Sequence, residues 1–242
     1  MKSAAIILPT IGKPELYDSL KSILYQSYSN LNCYLVIDGQ EHEDAVNKIL
    51  NEFYDVDPLL MINIRIHLLQ NNVGKDGWYG HRVYAAFSLL VNEDYVFFLD
   101  EDNILEYNHV ESMISRCEIS HLEWCYSLRK IVDKDGNFIC NDDCESLGKW
   151  NPFTDYNHID TSCYCLSLDV ARKFSGAIFG KWGADRQFYN VLNQYVPNYH
   201  TTGLYTVNYR LGGNDGSVKK EFFQQGNSIV KSKYKDNFPW RS

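Results

Sequence analysis

Carboxylates supply the clearest chemistry in this chain of 242 residues. Asp100, Glu101 and Asp102 follow directly on the wholly apolar run of residues 95–99. A strand buried on both faces that ends in acids sets them at the carboxyl edge of a sheet, where open α/β folds bind their ligands. Crowded carboxylates repel and raise one another's pKa, so the arrangement is costly without a cation. Mg²⁺ or Mn²⁺ held by Asp100 and Asp102 resolves the conflict and keeps positions open for phosphate oxygens of a substrate. A solvated acidic turn is the other reading; the strand in front of it favours the metal.

A second cluster runs from Gly74 to Arg82. Gly74, Gly77 and Gly80 permit close backbone approach, and His81 and Arg82 fall in the first turn of the helix that follows. Cations prefer helix C-termini, so two basic groups here ask for an anionic ligand such as a diphosphate. A mobile loop with solvent-facing His81 and Arg82 is the alternative. Asp185, in Trp182-Gly183-Ala184-Asp185, opens a helix and reads either as a functional acid or as an ordinary N-cap. Trp182 offers an aromatic wall for a sugar. Asp160 precedes a strand and suits sugar hydroxyls or a plain turn.

The elements that must position these groups follow from periodicity. Residues 4–9, 33–37, 61–69 and 95–99 read as strands. Helices are expected from Pro14 on (burying Leu16, Leu20, Ile23 and Leu24), over 44–53 (with Ala45, Val46, Ile49 and Leu50 on one face) and over 81–91. This is the alternation of βαβ units feeding a mostly parallel sheet. Further on, residues 124–132 and 137–140 form a hairpin about the turn 133–136, and residues 141–158 an irregular loop. A strand at 162–167, helices at 169–175 and 185–195 and a last strand at 204–210 complete the plan. The expected organisation is one domain: a nucleotide-binding half (1–103), an acceptor and catalytic half (104–210) and a basic tail (211–242). That tail reads as a solvated face, a strap over a diphosphate or a dock for an acidic partner.

In order and spacing these motifs resemble the nucleotide-sugar glycosyltransferases of GT-A fold, in particular the family-2-like group with bacterial and phage-type members. The resemblance covers most of the chain. It rests on the strand ending in Pro9-Thr10, the strand ending in Asp38-Gly39, Asn72-x-Gly74 with a helix after it, the D-x-D at 100–102, and the acid at 185. The segments His158-Ile-Asp-Thr-Ser-Cys163, Trp182-Gly-Ala-Asp-Arg186 and Asn208-Tyr-Arg210 add to it. It implies a Rossmann-like α/β enzyme that moves a sugar from a nucleoside-diphosphate sugar, a UDP-sugar above all, to a hydroxyl of a glycan or other acceptor, with Mn²⁺ or Mg²⁺ as cofactor. It further implies that Pro9, Thr10 and Asp38 seat the nucleoside, that Gly74, His81, Arg82, Asp100 and Glu101 contact the donor, and that Asp185 is the base of an inverting transfer. Asp160 and Trp182 would meet the sugar or acceptor, and His200 would be a third metal ligand. The family's paired acids at the late helix are represented here only by the second, since Ala184 precedes Asp185.

Composition removes other classes. With 23 Lys+Arg against 31 Asp+Glu the formal net charge is −8, so there is no basic surplus for a nucleic-acid partner. Residues 92–111 hold seven acids and no Lys or Arg, whereas 210–242 hold seven bases and three acids. No run of 18 apolar residues is present and Pro9 cuts the first apolar stretch, so neither a membrane segment nor a signal peptide is expected. Seven cysteines at irregular spacing suit reduced thiols and a cytoplasmic location; a zinc site on Cys117, Cys125, Cys140 and Cys144 is the disfavoured option. Two rivals stay open. A nucleotidyltransferase normally has a longer, more basic loop than residues 9–14, and a non-catalytic carbohydrate-binding domain could use the same fold.

Overall fold

Parallel strands covered on both faces need uninterrupted apolar runs, and the first half of the chain supplies them. The computed structural model describes residues 1–56, 63–151, 153–212 and 218–241. In it β1 (Ala4–Thr10), β2 (Leu31–Ile37), β3 (Ile64–Leu68) and β4 (Tyr95–Phe98) pair in parallel in the order β3-β2-β1-β4. Every residue of β1 and β4 is buried. Of the strand expected at 61–69, residues 61 and 62 lie outside the described residues.

Helices cover this sheet. α1 (Leu16–Leu24) buries Leu16, Leu20 and Ile23, with Pro14 in the turn before it. α2 (Glu43–Val56) buries Val46, Ile49, Leu50 and Phe53, while Ala45 is exposed. α3 (His81–Leu90) buries Val83, Tyr84 and Phe87.

The second half extends the same sheet with mixed polarity. β8 (Tyr164–Ser167) runs antiparallel to β4, and β6 (Trp124–Val132) antiparallel to β8. β9 (Tyr199–Arg210) runs parallel to β6, and β5 (Ile104–Leu105) closes the far edge against β9. The order is β3-β2-β1-β4-β8-β6-β9-β5, with β7 (Phe138–Asn141) paired to β6 as the expected hairpin. These directions bring the ends of many strands to one edge. Thr10 ends β1, and Asp38 and Asp100 follow the carboxyl ends of β2 and β4; the 3-10 turn Thr161–Cys163 enters β8 there; and Arg129 and Arg210 lie toward the carboxyl ends of β6 and β9.

Three parts of the second half differ from expectation. α4 (His109–Ser120) packs Val110, Met113, Ile114 and Cys117 onto the sheet in a stretch whose periodicity gave no helix. β9 begins five residues before the expected 204, carried by its pairing with β6. The basic tail is not a solvated end: α7 (Lys220–Tyr234) buries Phe223 and Val230, and Trp240 is fully buried against Phe238 and Tyr234. At Gly226 a Cβ would stand 2.6 Å from Cys144 Sγ, so only glycine lets α7 approach this closely. The remaining helices are α5 (Leu168–Phe174) and α6 (Ala184–Tyr195). All seven cysteines are free. The four-cysteine site does not assemble among the described residues; Cys117 and Cys125 converge instead with Cys165, buried between α4 and the sheet.

Candidate active site

A cavity of about 690 Å³ opens at that shared strand edge. β1 and β4 are neighbours while their chain connections leave in opposite directions, the switch point at which α/β sheets form a crevice. Of the residues singled out from sequence, Pro9, Thr10, Asp38, Gly74, His81, Asp100, Glu101, Asp102, Asp160, Trp182 and Asp185 all line it.

One wall of the cavity is built by backbone-to-carboxylate bonds. Asp38 is buried, and its two oxygens accept from the N–H groups of Val73 (2.7 Å) and Gly74 (2.8 Å). Its carboxyl is pushed up by burial, against the pull of those two bonds. A Cβ on Gly74 would lie 2.3 Å from the Tyr79 carbonyl oxygen and 2.6 Å from Asp38 Oδ2, so the loop tolerates no side chain there. Glu101 serves the opposite wall. Its Oε2 accepts from Thr10 Oγ1 (2.6 Å) and from the N–H groups of Ile11 (3.1 Å) and Lys13 (3.2 Å), so it shapes the turn after β1.

Asp100 and Asp102 face the same cavity. Tyr84 donates to Asp100 Oδ1 at 2.7 Å, and Lys13 Nζ lies 3.5 Å from Asp102 Oδ2. Burial, then the negative charges of Asp160 and Asp102, push the Asp100 carboxyl up to about 7. Two hard oxygen donors whose ionisation the protein resists are the donor set a small divalent ion fits. Asp160 is differently compensated: Arg129 Nη1 donates to its Oδ2 at 2.6 Å and Ser162 N–H to its Oδ1 at 3.0 Å. The same buried guanidinium reaches Asp142 (2.7 Å) and Glu145 (2.5 Å) and lies 4.3 Å from the centre of the Tyr209 ring.

Asp185 is the second residue of α6, whose N-cap is Gly183 at φ +86°. The N-cap reading is thereby excluded. Its Oδ1 accepts from Arg186 N–H (2.8 Å), and its Oδ2 lies 3.2 Å from His158 Nε2. Burial pushes this carboxyl up, but the hydrogen bond and charge of His158 prevail and hold it down to about 2. Trp182, 72% exposed, stands beside it under the Arg186 guanidinium at 4.4 Å.

Two expected residues lie elsewhere. Arg82 does not line the cavity: its guanidinium stacks on Trp78 at 3.6 Å and donates to the Val73 carbonyl at 3.3 Å, so it braces the glycine loop from behind. His200 does not line the cavity with Asp100 and Asp102: it sits ten residues before Arg210 on β9, paired with Cys125 in register and bonded to Arg116 at 2.8 Å. His81 reaches the cavity but holds the Gly180 carbonyl through Nδ1 (2.8 Å), and burial pushes its pKa down, so it is a poor cation. Sequence reasoning gave no site role to His158, Arg129, Lys13 or Arg210, although His158 and Arg210 stand in segments that carry the resemblance. For Arg129 the signal was an arginine inside a strand otherwise fit for burial.

The family model described as glycosyl transferase family 2 matches residues 5–144, more than half of the chain, from β1 through the D-x-D to the loop after β7. The chain belongs to glycosyl transferase family 2. It is a glycosyltransferase enzyme of GT-A fold, with the curled sheet of parallel and antiparallel strands described above. Among solved structures it is similar to S. aureus TarS 1–349 in complex with UDP-GlcNAc, at 13% identity and a TM-score of 0.66, over 97% of this chain and 67% of that one. The complex of the same fragment with UDP gives a TM-score of 0.62, covering 66% of that chain, and the longer TarS chain gives 0.59, of which 40% is covered. No curated protein matches the sequence. Among the described residues no helix of this glycosyltransferase is long and apolar enough to cross a membrane.

Proposed function

We propose that this family-2 glycosyltransferase moves a sugar from a nucleoside-diphosphate sugar to an acceptor hydroxyl with inversion, using Asp185 as the base. The observation that supports the reading is one cavity lined both by Asp38, held by two backbone N–H groups, and by Asp185, a half-buried carboxylate held down by His158. Pro9, Thr10 and Asp38 hold the nucleoside, whose N–H and hydroxyl groups suit the lone pairs that Asp38 retains. The UDP and UDP-GlcNAc bound by the structurally similar TarS fragment support a UDP-sugar.

In the transfer, the acceptor oxygen forms a bond to the anomeric carbon while its proton passes to Asp185. The bond from that carbon to the diphosphate oxygen breaks, and its electron pair leaves with the diphosphate. Lys13, at the mouth beside Asp102, adds positive charge where the leaving group gathers negative charge. Asp100 and Asp102 would hold Mn²⁺ or Mg²⁺, which when bound neutralises diphosphate charge. Trp182 and the Arg186–Tyr156 stack (3.4 Å) form the rim on which a sugar acceptor packs.

The test uses thermal shift with UDP-GlcNAc, UDP-glucose, GDP-mannose and CMP-sialic acid, each with and without Mn²⁺. A donor that stabilises the wild type only with Mn²⁺, loses this in D102A and keeps it in D185N while turnover falls by about 10²–10⁴-fold supports both roles. Turnover by D185N within threefold of the wild type removes Asp185 as base, and stabilisation independent of Mn²⁺ removes the metal.

A further inference from the structure

His158 is a cavity-wall group that this chemistry leaves unused. It lies at the end of the irregular segment before β8, 4% exposed, with Nε2 3.2 Å from Asp185 Oδ2. Its Nδ1 is buried and has no hydrogen-bond partner among the described residues. A nitrogen facing a carboxylate at this distance must carry a proton, since two lone pairs would repel. Nε2 is therefore protonated in both charge states, and Nδ1 is the atom that gains or loses one.

We infer that His158 is a positioning residue for Asp185, holding the carboxylate through Nε2–H and setting by its own charge how readily that carboxylate takes the acceptor's proton. This rests on the reading of Asp185 as the base. The groups around the pair are Asp185 and Arg186 from α6, His81 from α3, Arg129 from β6, Tyr164 from β8, Glu145 and Tyr156 from the segment before His158, and Asp160 just after it. Burial pushes His158 down, yet the hydrogen bond and charge of Asp185, followed by the charge of Glu145, raise it above its ordinary value. The charged imidazole in turn depresses Asp185, and a depressed carboxylate is a weak proton acceptor. Loss of the Nδ1 proton removes that charge, while Nε2–H keeps the carboxylate in place. Transfer should therefore rise with pH through the His158 midpoint, on the alkaline side of an ordinary histidine.

Two measurements on the full chain test this. In ¹⁵N/¹³C-histidine NMR without substrate, the His158 midpoint should lie above 6.5 in the wild type and fall by about one pH unit or more in D185N. A midpoint unmoved by D185N overturns the inference, and this arm needs neither a donor nor a His158 variant. The second arm follows UDP release from UDP-GlcNAc with water as acceptor, from pH 5 to 9. H158Q keeps a neutral N–H donor, so its plateau kcat should stay within about tenfold of the wild type with KM unchanged, but the rise through the wild-type His158 midpoint should vanish. H158A, with no donor, should fall a further tenfold or so. An H158Q profile that superimposes on the wild type while D185N is inactive overturns the role of His158 alone. An active D185N overturns the base reading itself.

Discussion

Replacing Asp100 by Asn should make the metal-free protein more stable while abolishing its metal response. The cause is the enclosure of the Asp100 carboxyl beside the negative charges of Asp160 and Asp102, which pushes its midpoint from 3.8 up to about 7. At about 1.4 kcal/mol per pH unit, ionising Asp100 in the folded protein costs at most about 4 kcal/mol. Since the residue keeps partial contact with solvent in the cavity, about 2–3 kcal/mol is the working figure. Asn carries no charge, and its Oδ1 can still accept from the Tyr84 hydroxyl that now bonds Asp100.

The sign follows from proton counting. Between about pH 4 and 7 the folded state binds a proton at Asp100 that the unfolded chain has released, so wild-type stability falls as pH rises through this window and is flat above it. D100N lacks the fall. The two proteins should melt together near pH 4 and separate by about 5–10 °C at pH 8 in EDTA, at about 2–4 °C per kcal/mol for a chain of this size. Mn²⁺ should raise the wild-type melting temperature and leave D100N unmoved. Equal melting of the two at pH 8 in EDTA would refute the argument that carboxylate crowding is the strain a cation relieves.

Two further substitutions probe the walls. G74A places a methyl group against the Tyr79 carbonyl and Asp38 Oδ2. UDP binding by calorimetry should weaken at least tenfold with the melting temperature within a few degrees of wild type, and unchanged affinity would show that this loop does not shape the nucleoside wall. R129M strips the countercharge from Asp142, Glu145 and Asp160, all within 2.7 Å of the guanidinium. The loss should be about 3–5 kcal/mol in urea unfolding at pH 7 and smaller at pH 5, where protonation relieves the three acids; a loss under 1 kcal/mol would contradict the geometry.

What the sequence made legible was local. β1, β2 and β4 are apolar runs that end in polar residues, so both the strands and the acids at their ends could be placed before any tertiary information. Asp185 was found because an acid opens the late helix where the family resemblance expects one; the helix start alone would equally have suited an N-cap. Arg82 and His200 misled because composition cannot show a partner: Trp78 captures Arg82 at 3.6 Å, and Arg116 captures His200 on a strand end far from the cavity. α7 was hidden for a related reason. Its lysines lie on the exposed side, and Phe223 and Val230 acquire meaning only when Gly226 lets the helix settle against Cys144. His158 carried no periodic or charge signal, since its role is defined by a contact to a residue 27 positions away.

The net charge of −8 takes on a structural sense once each cavity acid is matched with its compensation. Asp38 is satisfied by two backbone N–H groups, Glu101 by the turn after β1, Glu145 and Asp160 by Arg129, and Asp185 by His158. Asp102 has Lys13. Asp100 has the neutral Tyr84 hydroxyl and a share of the Lys13 charge, against burial and two neighbouring carboxylates. It is therefore the acid for which the protein supplies least, and the one that a cation or a proton must complete. The acids that carry local partners are walls, fixed whatever is bound; the one that does not is where binding and charge are coupled. On the proposed reading a diphosphate would enter so acidic a cavity together with positive charge at Asp100 and Asp102, and the strongest perturbation expected of the apo protein is accordingly the loss of one negative charge at Asp100.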